Sequence, residues 1–106
     1  MTKIERLDII FSQYIRKGDI GKGCISCGRY ISYEQMQCGH YIVRRHMSTR
    51  YDEINCNGQC VTCNDFEDGN PKGYREGLIR KVGLEKVEEL ERRKHQTVKI
   101  SERLIS

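Results

Sequence analysis

Six cysteines in a chain of 106 residues are the first groups whose spacing implies chemistry. Four of them fall as Cys24-x-x-Cys27 and Cys60-x-x-Cys63. A Cys-x-x-Cys turn delivers two thiolates to one metal without strain, and two such turns fill a tetrahedral shell. These four are therefore the expected ligands of a structural zinc ion. Cys38 and Cys56 fit neither pair and are read as packing residues, since an unligated cysteine behaves as a small hydrophobe. Between the pairs lies Gln37-Cys38-Gly39-His40-Tyr41. Its histidine can be a packed ring, a ligand or the group that does chemistry, because histidine is the side chain whose unperturbed pKa lies near neutrality. Zinc binding closes a loop of about thirty residues that carries His40, Arg44, Arg45, Arg50 and Asn55, and so can hold polar side chains in place without a large core.

Composition narrows the setting. Charged residues make up 32% of the chain and mean hydropathy is -0.71, with no apolar run approaching a membrane span. The opening MTKIERLDII alternates charged and apolar residues rather than forming the apolar core of a secretion signal, so a reducing, cytoplasmic location is expected. In that setting metal ligation outranks disulfides, and a disulfide-bonded secreted peptide is disfavoured. The net charge of +4 is compatible with an anionic partner. Between Glu34 and Asp52 there is no acidic residue, while Arg44, Arg45 and Arg50 are present, and these three are the expected phosphate contacts to DNA.

The elements that must position these groups follow from pattern. Thr2-x-x-Glu5 forms a capping box, and Ile4, Leu7, Ile10, Phe11, Tyr14 and Ile15 recur at helical spacing, predicting a helix from Thr2 to Lys17 that stops at Gly18. Short strands are expected at Tyr30–Tyr33 and Tyr41–Val43. After Cys63 a short helical start gives way to a turn at Gly69-Asn70-Pro71, where Asn70 caps a helix with Pro71 first and Gly83 last. A solvated helix is predicted from Leu84 to about Gln96, with the tail from Thr97 unassigned. The chain thus divides into an N-terminal helix (1–20), a zinc-bound core (21–83) and a C-terminal helix and tail (84–106).

The order His40, Asn55, then Cys60-x-x-Cys63 followed at once by Asn64 resembles the HNH, or ββα-metal, nuclease motif. The resemblance implies an α+β fold, a small zinc-stabilised ββα-metal core with flanking α-helices. It also implies His40 as general base, Asn55 as the residue that orients it, and Asn64 as ligand to a catalytic Mg2+ or Mn2+ ion. Asparagine at the third position, together with a four-cysteine zinc, is similar to the endonuclease VII group of junction resolvases. A closer similarity runs from about Cys24 to Val87: CISCG, QCGHYIVRR, TRYDEINCNGQCVTCN and GNPKGYREGL resemble the NinG, or Rap, recombination family of lambdoid phages. That resemblance implies a structure-specific DNA endonuclease acting on branched recombination intermediates, with DNA as partner, no membrane, and a homodimer as the attractive assembly for cutting a junction. Many HNH proteins carry an aspartate just before the base histidine, where this chain has Gly39. The alternative is therefore a non-catalytic, zinc-stabilised nucleic-acid-binding module.

Overall fold

The computed structural model describes residues 1–94, so the last expected helical turn near Gln96 and the tail from Thr97 lie outside the described residues. Helix α1 spans Lys3–Gly18, with Thr2 as its cap: Thr2 Oγ1 accepts from the Glu5 N–H at 3.1 Å. Asp19 ends the helix and reaches onward, its Oδ2 accepting from the Gly58 N–H at 2.7 Å. The first cysteine turn follows, flanked by Gly23 (φ +79°) and Gly28 (φ +77°). A side chain at Gly23 would combine this left-handed backbone with a Cβ 3.0 Å from the Gly28 carbonyl oxygen.

A two-stranded antiparallel sheet lies at the centre. Strand β1 (Gln37–His40) pairs with β2 (Cys56–Gln59) in the register Gln37↔Gln59, Cys38↔Gly58, Gly39↔Asn57 and His40↔Cys56. The strands expected at Tyr30–Tyr33 and Tyr41–Val43 are not there. Ile31 instead buries against the cysteine cluster, and the Ser32 carbonyl accepts from Gln35 and Met36 in a turn. On the other side the ladder gains one more bond, Tyr41 N–H to the Asn55 carbonyl at 2.9 Å, and then stops. The next amide, Ile42 N–H, is taken by the Asn55 side chain at 2.7 Å, which diverts the backbone out of strand pairing. β-branched and aromatic residues were a poor guide here because partner and side-chain competition decided the pairing.

After β2 comes a single wide turn, Thr62–Phe66, in which the Glu67 N–H donates to the Thr62 carbonyl five residues back. Asp68, Gly69 and Asn70 all have positive φ, and Asn70 Oδ1 caps helix α2 (Pro71–Val82) through the Gly73 N–H at 3.2 Å. Helix α3 (Leu84–Arg93) follows after Gly83. Tyr74, Leu78, Val87 and Leu90, all at most 2% exposed, form one core with Ile42. Each such side chain contributes about 1.5–3 kcal/mol by leaving water. Gly77 lets α2 lie directly on the first cysteine turn, since a Cβ there would sit 1.9 Å from the Ile25 carbonyl oxygen. The result is a small α+β fold in which α1 and the α2–α3 pair flank a hairpin.

Candidate functional site

The four cysteines of the two Cys-x-x-Cys turns converge: the thiol sulfurs of Cys24, Cys27, Cys60 and Cys63 all lie within 4.8 Å of one another. Donors surround them as they do a thiolate-bound metal. Cys60 N–H points at Cys24 Sγ (3.4 Å), Cys63 N–H at Cys60 Sγ (3.5 Å) and Asn70 Nδ2 at Cys63 Sγ (3.4 Å). The four-sulfur cluster fits structural zinc. It pins the start of the chain's core to the turn that carries Asn64.

His40 ends β1. Its Nε2 lies 3.0 Å from the Arg50 carbonyl oxygen. A carbonyl only accepts, so Nε2 carries the hydrogen and Nδ1 is left with the lone pair. Burial pushes the imidazole below the ordinary histidine range; the Arg50 carbonyl works against this, and the Arg44 and Arg50 charges reinforce it. This environment favours the neutral ring, the state a proton acceptor requires.

Asn55, fully buried, spends its side-chain hydrogen bonds on the backbone rather than on the ring. Its Oδ1 accepts from Ile42 N–H, and its Nδ2 donates to the Ile42 carbonyl (3.0 Å) and the Thr49 carbonyl (3.0 Å). It thereby fixes the segment from Tyr41 to Asn55, which supplies the Arg50 carbonyl that holds His40. Any influence of Asn55 on the imidazole would run through this backbone segment.

The three arginines separate by environment. Arg50, with a side chain 15% exposed, forms a two-pronged ion pair with Asp8 of α1, whose other hydrogen bond comes from the Tyr51 hydroxyl at 2.8 Å. Arg44, 59% exposed, approaches the same carboxylate at 3.6 Å, and Arg45 is exposed beside the His46 ring. The acid missing from the local sequence is thus supplied by Asp8. Arg44 and Arg45 remain outward, whereas Arg50 is committed to holding α1 against the site.

Asn64, on the wide turn after β2, donates from Nδ2 to Gln37 Oε1 at 2.7 Å. Gln37, Gly39, Asn57 and Gln59 share one face of the hairpin, and Cys38, His40 and Cys56 the other, as the register requires. Cys38 and His40 of the second face open onto a cleft of about 550 Å³ whose lining also includes Asp8, Arg44, Asn64 and Asp68.

Gly39 has no room for a carboxylate. A Cβ there would be 2.0 Å from Gln59 Oε1 and 2.8 Å from its Cδ. Gln59 is fully buried, its Nε2 donating to Ser26 Oγ (2.8 Å) and the Gly69 carbonyl (2.7 Å), while its Oε1 has no hydrogen-bond partner among the described residues. A buried oxygen of this kind is ordinarily met by a donor, an ordered water or an ion.

Across residues 2–105 the sequence matches the family described as Bacteriophage Lambda NinG protein. The chain belongs to the NinG family. Its NinG relatives include the protein ninG of Escherichia phage 933W, 42% identical over 74% of this chain. Those of Salmonella phage P22 and Escherichia phage lambda are each 40% identical over 74% of it. The chain spans less than two fifths of their length, 39% of the 933W protein and 38% of the lambda protein. No solved structure matches this chain. Among the described residues no helix is long and apolar enough to cross a membrane.

Within this NinG chain, sequence reasoning passed over Asp8, Gln59 and Tyr74. Asp8 had a signal: it lies on the apolar stripe of α1, between Ile4 and Phe11, where a charge must find a partner. Tyr74 is buried completely and its hydroxyl donates to the Gly39 carbonyl at 2.8 Å, a contact that no spacing along the chain announces.

Proposed function

We propose that this chain is the core of a metal-dependent DNA endonuclease of the HNH type that hydrolyses phosphodiester bonds, acting on branched recombination intermediates. The observation that carries the reading is that His40, held through Nε2 with Nδ1 left to accept a proton, lines the same cleft as Asn64. Membership of the NinG family and the order of hairpin, cysteine pair and Asn64 support it.

The residues fit a hard divalent ion. Asn64, in the lining of the cleft, offers a neutral carbonyl oxygen, and Mg2+ accepts such an oxygen while keeping several waters. When bound, Mg2+ or Mn2+ supplies charge stabilisation at the phosphate and leaving oxygen. His40 Nδ1 takes the proton from a water lined up on phosphorus. Arg50 keeps the ring in place through its carbonyl, and Asn55 keeps that carbonyl in place. Arg44 and Arg45, at the exposed rim, meet the DNA backbone. A second copy of the chain would supply the second cut that a junction needs.

The collision at Gly39 favours one other reading, a zinc-stabilised module that binds nucleic acid without cutting it. The two part on one experiment. Incubated with four-way-junction DNA, the chain is expected to produce nicked product only when Mg2+ or Mn2+ is added; DNA retention in a gel shift with no product under either ion would select the binding module.

A further inference from the structure

Cys38 and Cys56 belong to neither cysteine turn, yet they do not lie apart. The hairpin register puts Cys38, His40 and Cys56 on one face, His40 directly opposite Cys56. Their ligand atoms all lie within 4.8 Å of one another. Cys56 is buried, while Cys38 and His40 line the open cleft. The Arg50 carbonyl accepts both from His40 Nε2 and from Cys56 Sγ (3.5 Å), the kind of outer contact that aims a ligating ring.

We propose that Cys38, His40 and Cys56 form a second metal site, for a thiophilic divalent ion of the zinc class, distinct from the four-cysteine cluster. Bonds of about 2.3 Å to sulfur and 2.0 Å to nitrogen set ligand atoms roughly 3.5–3.8 Å apart, so side-chain shifts of roughly 1 Å close the shell. Two thiolates select a soft ion over Mg2+. Three protein ligands leave the fourth position for water or a phosphate oxygen from the cleft. Binding displaces the two thiol protons to solvent, and no other bond is made or broken. An ion held there takes up the imidazole on which hydrolysis depends, so zinc at this site silences the enzyme. That consequence rests on His40 acting as the base; the site itself does not.

Co2+ is the probe. Titrated into the metal-free full chain under a non-thiol reductant, it is expected to bind with about two equivalents, a tetrathiolate spectrum followed by a second thiolate-to-cobalt band of lower intensity. Cys38→Ser should keep the first spectrum, which reports on its fold, and lose the second equivalent. Saturation at one equivalent in the wild type, or an undiminished second equivalent in Cys38→Ser, overturns the proposal. In the cleavage assay, zinc beyond the first equivalent is expected to slow the wild type about a hundredfold or more relative to its own Mg2+ rate. Undiminished cleavage with the second equivalent bound would overturn the silencing. Cobalt uptake is read without DNA, so a chain that never cuts would refute the nuclease reading and leave the metal site to be decided by absorbance.

Discussion

Replacing Asn55 with alanine strips three hydrogen bonds from one fully buried position: those with Ile42 N–H, the Ile42 carbonyl and the Thr49 carbonyl. Each backbone group left without a partner costs about 1–3 kcal/mol. The three are neighbours and share any relaxation, so their costs overlap rather than add. A total of about 3–5 kcal/mol is the reasoned outcome, a large share of the 5–15 kcal/mol that holds a typical domain together. Guanidinium denaturation of the zinc-loaded protein would measure it, with Asn55→Asp alongside. The aspartate keeps an acceptor for Ile42 N–H but turns a carboxylate oxygen on two carbonyls, so it is expected to recover little. If Asn55→Ala costs less than about 1 kcal/mol, the segment from Tyr41 to Asn55 is held by something else and Asn55 does not position the Arg50 carbonyl.

At Gly39, introducing the aspartate that many HNH proteins carry is expected to destabilise the fold by about 1–3 kcal/mol without tightening Mg2+ binding, because its Cβ meets Gln59; calorimetric Mg2+ titration with a melting curve checks both. Asp8 gives a pH signature. Burial alone would raise its carboxyl, but hydrogen bonds from Arg50 and Tyr51 and the charges of Arg50 and Arg44 outweigh that and hold it below its ordinary 3.8. Its contribution is therefore present above that value and lost as pH falls through the lower folded one. Acid unfolding below about pH 4 should be shallower in Asp8→Asn than in the wild type. Chelation of the four-cysteine zinc is expected to unfold the chain, read as loss of far-ultraviolet circular dichroism that returns on adding zinc back.

How much of this was legible in the sequence depended on the range of the interaction. Local rules found α1 through the Thr2 cap and α2 through Asn70-Pro71, because caps act within one turn of the residues that make them. Matched spacing found the four-cysteine cluster, which is compatible with zinc. The strands were misplaced because Gln37–His40 and Cys56–Gln59 have weak intrinsic preference for extended structure and are paired by their surroundings, with Asp19 holding Gly58 and Tyr74 holding Gly39. The setting of Arg50 was hidden for the same reason: the acid that answers it is 42 residues away on α1. Motif order marked His40, Asn55 and Asn64, whereas Gln59 became visible only as the side chain that fills the space beside Gly39.

The most direct test of His40 as general base is single-turnover cleavage of junction DNA by wild type and His40→Ala, at saturating protein and Mg2+, with zinc content and circular dichroism matched. Loss of a general base lowers such a rate by about 10²–10⁴-fold, and a fall of that size with zinc and fold retained is the expected result. A variant that cuts at the wild-type rate would contradict the assignment.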